Sequence, residues 1–532
     1  MKKQSQQSRQ PTQAEIQTLL KFFQAGQLPQ AEVLAKSLIK NYPDVPIIHN
    51  VLGSALAGQG KFAEAVEPFK KLVAIDPKSA ELNFNLALMQ TNSGQHEDAV
   101  VNYRKAIALM PEFVDAHYNL GTALQALGKH AEAAVSYRKA IEIQPGFFEA
   151  HGNLGAVLQA QGKLDEAIAS YRKALAIHPD ARGHFNLGTA LRNQGLLEEA
   201  IASFQNAIAA DPNYAEAYSN LGESLWHHGK LNEAVESFNK ALAIDPDNPS
   251  ANYNLAVFLY DNGELERAIP HFERSQFGDW QERVLYCLYK TEQYEAFKEK
   301  LKHSISVNNT SPFLATLSTH YAVNFGVEDE YNFCKKPLDF VYHGNIEALS
   351  APNSALLAEL LSDIKNAEIS QRKQSRLHHG IQSSGNLFKR PEASFQKLAA
   401  LVAETIEKYR RHYAKEDCMF MKAFPKNIEF SSSWYVKMQS GGHLTSHIHE
   451  EGWISGAVYL AMPKNKVNKD DGSIELSTHG DNYPQKHTNF PTITVAPSVG
   501  DVCFFPSSVF HRTIPFSSNE ERICIAFDLK PA

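Results

Sequence analysis

A period of 34 residues runs through the first half of this chain and limits its possible folds more than any other feature. Prolines fall at Pro43, Pro77, Pro111, Pro145, Pro179, Pro212 and Pro246, spaced 34, 34, 34, 34, 33 and 34. Gly26, Gly60, Gly94, Gly128, Gly162, Gly195, Gly229 and Gly263 keep the same beat, with the same single 33. Within the unit 148–181, Leu154, Val157 and Leu158 hold helical spacing until Gly162. Ala167, Ile168, Tyr171, Ala174 and Leu175 then resume it until Pro179. Glycine accepts the positive φ of a turn, and proline cannot continue a helix. Small alanines let the two helices of a unit approach closely. One such pair cannot bury its apolar face alone, so the copies must stack into a solenoid.

The unit resembles the tetratricopeptide repeat, and about eight copies fit residues 12–280, the first and last being least regular, as caps would be. Residues 1–11 read as a disordered polar tail. A column of asparagines, Asn85, Asn119, Asn153, Asn186, Asn220 and Asn254, recurs in YNLG-like contexts. A carboxamide can pair with both groups of a peptide unit. In tetratricopeptide proteins with such ladders, as in O-linked glycosyltransferases, the column grips an extended polypeptide. The alternative is that each Asn bonds within its own repeat. Either way the solenoid is expected to bind a protein or peptide.

Composition narrows the setting. Lys plus Arg is 52 against 59 Asp plus Glu, a formal charge of −7, which gives no support to a general nucleic-acid binder. The five cysteines, Cys287, Cys334, Cys418, Cys503 and Cys524, are odd in number and form no CxxC pair, which favours a reducing, cytoplasmic location. No secretory h-region and no apolar run long enough for a transmembrane helix can be read, so no membrane partner is expected. Residues 281–345 keep helical periodicity without the repeat markers and read as a helical linker, with a loop at Asn308–Pro312. Cys334 lies here without a surrounding motif and reads as a structural thiol.

From residue 346 to 532 the pattern changes. Helices are expected near 352–366 and 392–414. Short runs follow, SSSWYVKM, ISGAVYLAM, ITVA, DVCFF and ICIAFDL, rich in β-branched and aromatic residues, and these suggest a sandwich or jelly roll. HLTSHIHEEGW sets His447 and His449 two apart, on one face of a strand. FFPSSVFHR adds His511, and ERICIAF adds Arg522. Two close ligands with a distant third leave open positions on one side of a metal. His443, His479 and His487 read as solvated loop residues, and Trp434 and Trp453 as wall or core.

These stretches, with HGIQSSGNLF (379–388), HIHEEGWISGAVYL (447–460), GDVCFFPSSVFHRTIPF (500–516) and ERICIAFDL (521–529), resemble the 2-oxoglutarate/Fe(II)-dependent oxygenases found behind tetratricopeptide repeats in bacteria. DEYNFCKKPLDF resembles the segment that joins the two parts in that group. The resemblance implies a multidomain α + β chain: an all-α superhelix, a helical linker, and a double-stranded β-helix of the prolyl-hydroxylase type. It implies Fe(II), with 2-oxoglutarate and O2 as co-substrates, and a dioxygenase that hydroxylates a protein or peptide. Arg522 takes the place of the basic residue that meets the C5 carboxylate, with Cys524 beside the co-substrate, while Tyr459 either reaches the co-substrate or packs in the core. The sequence departs from the family pattern twice. Position 449 is His where Asp or Glu is usual, so that either His447 with His449 or a ligand set using Glu451 accompanies His511. Cys524 stands where Ser or Thr is common. A non-catalytic adaptor with a degenerate metal site is the competing reading. A glycosyltransferase fails on size, since the C-terminal segment is too short for two Rossmann-like lobes and holds no Gly-rich nucleotide loop.

Overall fold

In the computed structural model, residues 10–307, 310–366, 369, 376–450 and 452–530 are described, together with the backbone of 371–372. The chain divides into two compact units, residues 1–254 and 255–532, with the division inside the helix Pro249–Asp261. Among the described residues, no helix is long and apolar enough to cross a membrane.

Among the described residues seven helix pairs, from Gln13–Gln24 with Leu28–Asn41 to Ala215–His227 with Leu231–Ile244, make the first unit the expected tetratricopeptide superhelix, and the helices Pro249–Asp261 and Leu265–Ser275 repeat the pattern where the chain passes into the second unit. The turn glycines of every pair, Gly26 to Gly263, have φ between 70° and 84°, a region that a side chain would strain. A second set of glycines works by size. A Cβ added at Gly121, Gly155, Gly188 or Gly222 would lie 2.5–2.8 Å from the ring of Tyr137, Tyr171, Phe204 or Phe238 on the partner helix. The ring therefore packs directly on helix backbone, which draws the pair together. The single 33-residue spacing also has a local cause. Its missing residue shortens the connection before Ala181–Asn193, and Asp180 there becomes an N-cap, accepting the Gly183 N–H at 2.8 Å.

The second unit is built on two antiparallel sheets. Its strands are β1 (Tyr342–Asn345), β2 (Gln371–Arg372), β3 (Leu377–Ser383), β4 (Phe430–Leu444), β5 (Ile454–Ala461), β6 (Ile474–Ser477), β7 (Thr492–Val495), β8 (Asp501–Pro506), β9 (Phe510–Thr513) and β10 (Arg522–Leu529). The larger sheet has the order β1-β8-β5-β10-β4-β3-β2 and the smaller β7-β6-β9. Their inner faces share one core: Val436, Met438, Tyr459, Phe505 and Cys524 from the large sheet meet Ile474, Leu476 and Val495 from the small. This is the expected jelly roll. Helices Ala355–Asn366 and Ala393–His412 stand where the sequence places them.

Helices Trp280–Lys290, Tyr294–Val307 and Pro312–Phe325 belong to this second unit. They hold its loops by side-chain bonds. Arg283 pairs with Glu450 at 3.0 Å, Lys290 Nζ donates to the carbonyls of Asp481 and Asn482 at 2.9 Å, and Thr316 Oγ1 donates to Ser508 O at 2.9 Å. Asn308 and Asn309 of the expected loop lie outside the described residues; Ser311 caps the helix that begins at Pro312.

Candidate metal centre

β4 runs out at Leu444, and the chain then crosses to the small sheet. There His447 forms a two-way backbone bridge with His511 of β9, at 3.1 and 2.9 Å. Two residues on, His449 N–H donates to Ser507 O just ahead of β9. The i, i+2 spacing thus turns both side chains the same way, toward His511. The three imidazoles present ligand nitrogens that all lie within 4.8 Å of one another. Ring centroids are 4.3 Å apart for His447 and His511, 4.9 Å for His449 and His511, and 5.3 Å for His447 and His449.

Each ring has its Nδ1 occupied. His447 Nδ1 meets Thr445 O at 2.8 Å, His511 Nδ1 meets Val509 O at 3.3 Å, and His449 Nδ1 meets Asp528 Oδ1 at 2.5 Å. Since the acceptors are oxygens, Nδ1 carries the proton and Nε2 keeps its lone pair. Burial, then the neighbouring histidines, push His447 down to about 3 and His511 well below the ordinary imidazole range. Both are neutral donors at neutral pH, which is the form a metal requires. The donor set fits a divalent transition metal bound on one face.

Asp528 carries a signal that the motif reading passed over. Arg522, Cys524, Ala526 and Asp528 alternate along β10 and share its inner face. Register sets Asp528 opposite Ser455 of β5 on one side and Ser432 of β4 on the other. Both hydroxyls donate to its carboxylate, at 2.7 and 3.0 Å. Burial alone would raise this carboxyl; His449 and the two hydroxyls outweigh it and hold it below its ordinary value. Period-2 counting from Arg522 would have found the residue.

A narrow pocket of about 50 Å³ lies behind the histidines and is lined by Arg522, Tyr459, Cys524, Phe505, Ile474 and Val436. Arg522 is 2% exposed. Its Nε donates to Gly472 O at 2.9 Å, while Nη1 reaches only sulfur, Cys524 Sγ at 3.5 Å and Met438 Sδ at 3.9 Å. Among the described residues no carboxylate pairs with it. The guanidinium sits 5.1 Å above the Tyr459 ring, and the buried Tyr459 hydroxyl has no partner among the described residues. A second cavity of about 320 Å³ shares Trp434, His447 and His449 with the first and adds Arg376, Ser383, Ser432 and Asp528. The Trp434 ring is 5.6 Å from His449, lining both cavities and packing on the core between the sheets.

The structure therefore brings His447, His449 and His511 together, with Arg522, Tyr459 and Cys524 in one adjoining pocket. Glu451 lies outside the described residues. The neighbouring Glu450 is turned to Arg283. The expectation of solvated loops for three other histidines is corrected. His479 bonds the buried His320 at 2.7 Å, His487 bonds Val323 O at 3.0 Å, and His443 stacks on His378 at 4.6 Å. Cys334 is buried as expected of a structural thiol, and Trp453 is core, stacked on Phe420. The asparagine column is half-buried throughout the first unit. Asn119 bonds within its own helix, to Asp115 O, whereas Asn153 donates to Tyr118 OH and Asn220 accepts from Arg192 in the preceding repeat.

Residues 432–528 match the family described as "Putative 2OG-Fe(II) oxygenase". Residues 20–80, 114–147, 148–180, 185–249 and 220–282 match models described as "Tetratricopeptide repeat", and 90–128 one described as "TPR repeat". Among solved structures the chain is similar to YrrB, "a TPR protein with an unusual peptide-binding site", at 26% identity over 35% of this chain and 96% of that one, with a TM-score of 0.32. It is also similar to MamA, at 27% identity over 31% of this chain and 97% of that one, TM-score 0.30. Pseudomonas aeruginosa pilF is 27% identical over 38% of this chain and 95% of its own, TM-score 0.34. No curated protein matches this chain.

Proposed function

Since this chain is a tetratricopeptide-repeat protein with a C-terminal domain of the "Putative 2OG-Fe(II) oxygenase" family, we propose that it is a 2-oxoglutarate- and Fe(II)-dependent dioxygenase that hydroxylates a protein or peptide held by the repeats. The observation that carries this reading is the Arg522 guanidinium, buried with no acid partner among the described residues, in a pocket that His447, His449 and His511 also line. A buried unpaired cation is costly, and an anionic ligand offsets that cost. Residues 346–532 are the oxygenase region in this reading, 12–280 the repeats, and 281–345 the linking helices.

The Nε2 atoms of His447, His449 and His511 would hold the metal. Bound there with 2-oxoglutarate and O2, Fe(II) supplies oxidation of a substrate C–H bond to an alcohol, with succinate and CO2 as co-products. Arg522 would receive the distal carboxylate of the co-substrate through its free Nη edge, a bidentate match of planar groups. Tyr459 would donate its unpartnered hydroxyl, and Cys524 would hold the guanidinium edge. Trp434 lines both cavities. The larger cavity, with Arg376, Ser383 and Ser432, would admit the substrate residue. Asn85, Asn119, Asn153, Asn186, Asn220 and Asn254 would bind the substrate backbone. Asn85, Asn186 and Asn254 have no side-chain bond among the described residues, which leaves their carboxamides available. Five free, buried cysteines support a reducing, cytoplasmic setting.

The test is anaerobic titration with Fe(II) and 2-oxoglutarate, followed by succinate release in air. A metal-to-ligand charge-transfer band and slow succinate formation are expected, both absent in His511→Ala. No band and no succinate from the intact chain, with a protein partner still bound, would leave the adaptor reading standing instead.

A further inference from the structure

The site departs from its family pattern in having a histidine where an acid is usual, and the geometry shows where a negative charge is found instead. We infer that Asp528 is a positioning residue for the metal centre, supplying its carboxylate through the His449 ring rather than to the metal. The inference rests on the metal reading above.

Asp528 stands on the Nδ1 side of His449, 2.5 Å away, which leaves the opposite nitrogen, Nε2, as the one His449 can offer to a metal shared with His447 and His511. It therefore cannot ligate an ion held by the three histidines without displacing His449. Among the described residues every hydrogen bond to its carboxylate comes from a donor: the His449 Nδ1–H and the Ser455 hydroxyl on Oδ1, and the Ser432 hydroxyl on Oδ2. An ionised acid is what such a shell favours. The neighbouring chain makes room for it. A Cβ at Gly452 would lie 2.6 Å from Ser507 Oγ and 3.4 Å from Asp528 Oδ1, so a side chain there would push into the cluster. Held this way, the imidazole keeps one tautomer and one ring plane, and the adjacent negative charge makes Nε2 a stronger donor to a cation. Among the described residues His447 and His511 have only backbone carbonyls at Nδ1, so the charge enters through one ligand of the three.

The probe is Co(II) added to the full metal-free chain, read by its visible ligand-field bands and by titration calorimetry. Asp528→Asn keeps an acceptor at the same place and removes the charge. It is expected to weaken Co(II) binding about 10–100-fold and to shift the bands. Ser432→Ala, which removes one donor but no charge, is expected to shift the bands the same way with a smaller loss of affinity, and it serves if Asp528→Asn does not fold. Wild-type affinity and unchanged bands in these variants, with binding lost in His511→Ala, would overturn the role of Asp528 alone. Unchanged binding in His511→Ala as well would overturn the metal reading, and this inference with it.

Discussion

At Arg522 a planar guanidinium is held inside the jelly roll by one carbonyl and two sulfur atoms. Sulfur is a weak acceptor, so the Nη edge retains most of its capacity for a carboxylate. Replacing it with methionine preserves the apolar stem and removes charge and fork together. Arg522→Met is expected to weaken 2-oxoglutarate binding about 100-fold, or roughly 2.7 kcal/mol, with Co(II) binding to the histidines unchanged. Arg522→Lys restores charge but not the paired geometry and is expected to recover only part of that loss. Calorimetry of the co-substrate on the Co(II)-loaded chain measures both. Equal affinity in the wild type and Arg522→Met would remove this residue from the co-substrate site.

The elements that hold the site are more than its strands. Helix Pro312–Phe325 places His320 against Tyr289 at 2.6 Å and His479 at 2.7 Å, while Asn324 of the same helix bonds Pro484 O and the Lys486 N–H. Burial, with His479 and Lys290 nearby, pushes His320 down to about 3. Its unfolded value is near 6.5, so the unfolded chain takes up the proton first as pH falls. This contribution is therefore complete above about pH 6.5 and is lost progressively toward pH 3. For one such group the loss reaches about 3 kcal/mol by pH 4. Urea unfolding of the second unit at pH 7 and pH 4 is expected to show it, with a smaller difference in His320→Asn; an unchanged difference would exclude His320 as its source. This network also marks the limit of what sequence patterns disclose. β4, β5, β7, β8 and β10 announce themselves by branched and aromatic runs, but β1 (YHGN), β6 (IELS) and β9 (FHRT) are four residues long and form because neighbours pair with them. His447 and His449 are legible because strand period acts locally, whereas His511 and Arg522 are legible through the family resemblance of FFPSSVFHR and ERICIAF. The roles of His320, His479 and Glu450 depend on partners more than 150 residues away, and no local pattern encodes such a pairing.

For the whole molecule, the division at residue 254 separates two kinds of stability. The first unit gains it from neighbour-on-neighbour stacking of repeats, such as Leu52, Phe69 and Leu86 in the N-terminal cluster. The second depends on one core between two sheets, and the candidate metal centre lies at the edge of that core, where Tyr459 and Cys524 join core and pocket. A ligand that binds only the folded second unit stabilises that unit by mass action, about 2.7 kcal/mol at a hundred times its dissociation constant. For a unit of this size that corresponds to roughly 4–5 °C. Scanning calorimetry of the metal-free chain is accordingly expected to show two transitions, of which Co(II) raises one and leaves the other in place. His511→Ala should abolish the shift and thereby identify the moving transition as that of the second unit. A single transition that moves as a whole would mean that the solenoid and the jelly roll unfold as one cooperative block. Metal loading would then be a condition for the stability of the repeats as well, and the asparagine column could not be assayed apart from the site.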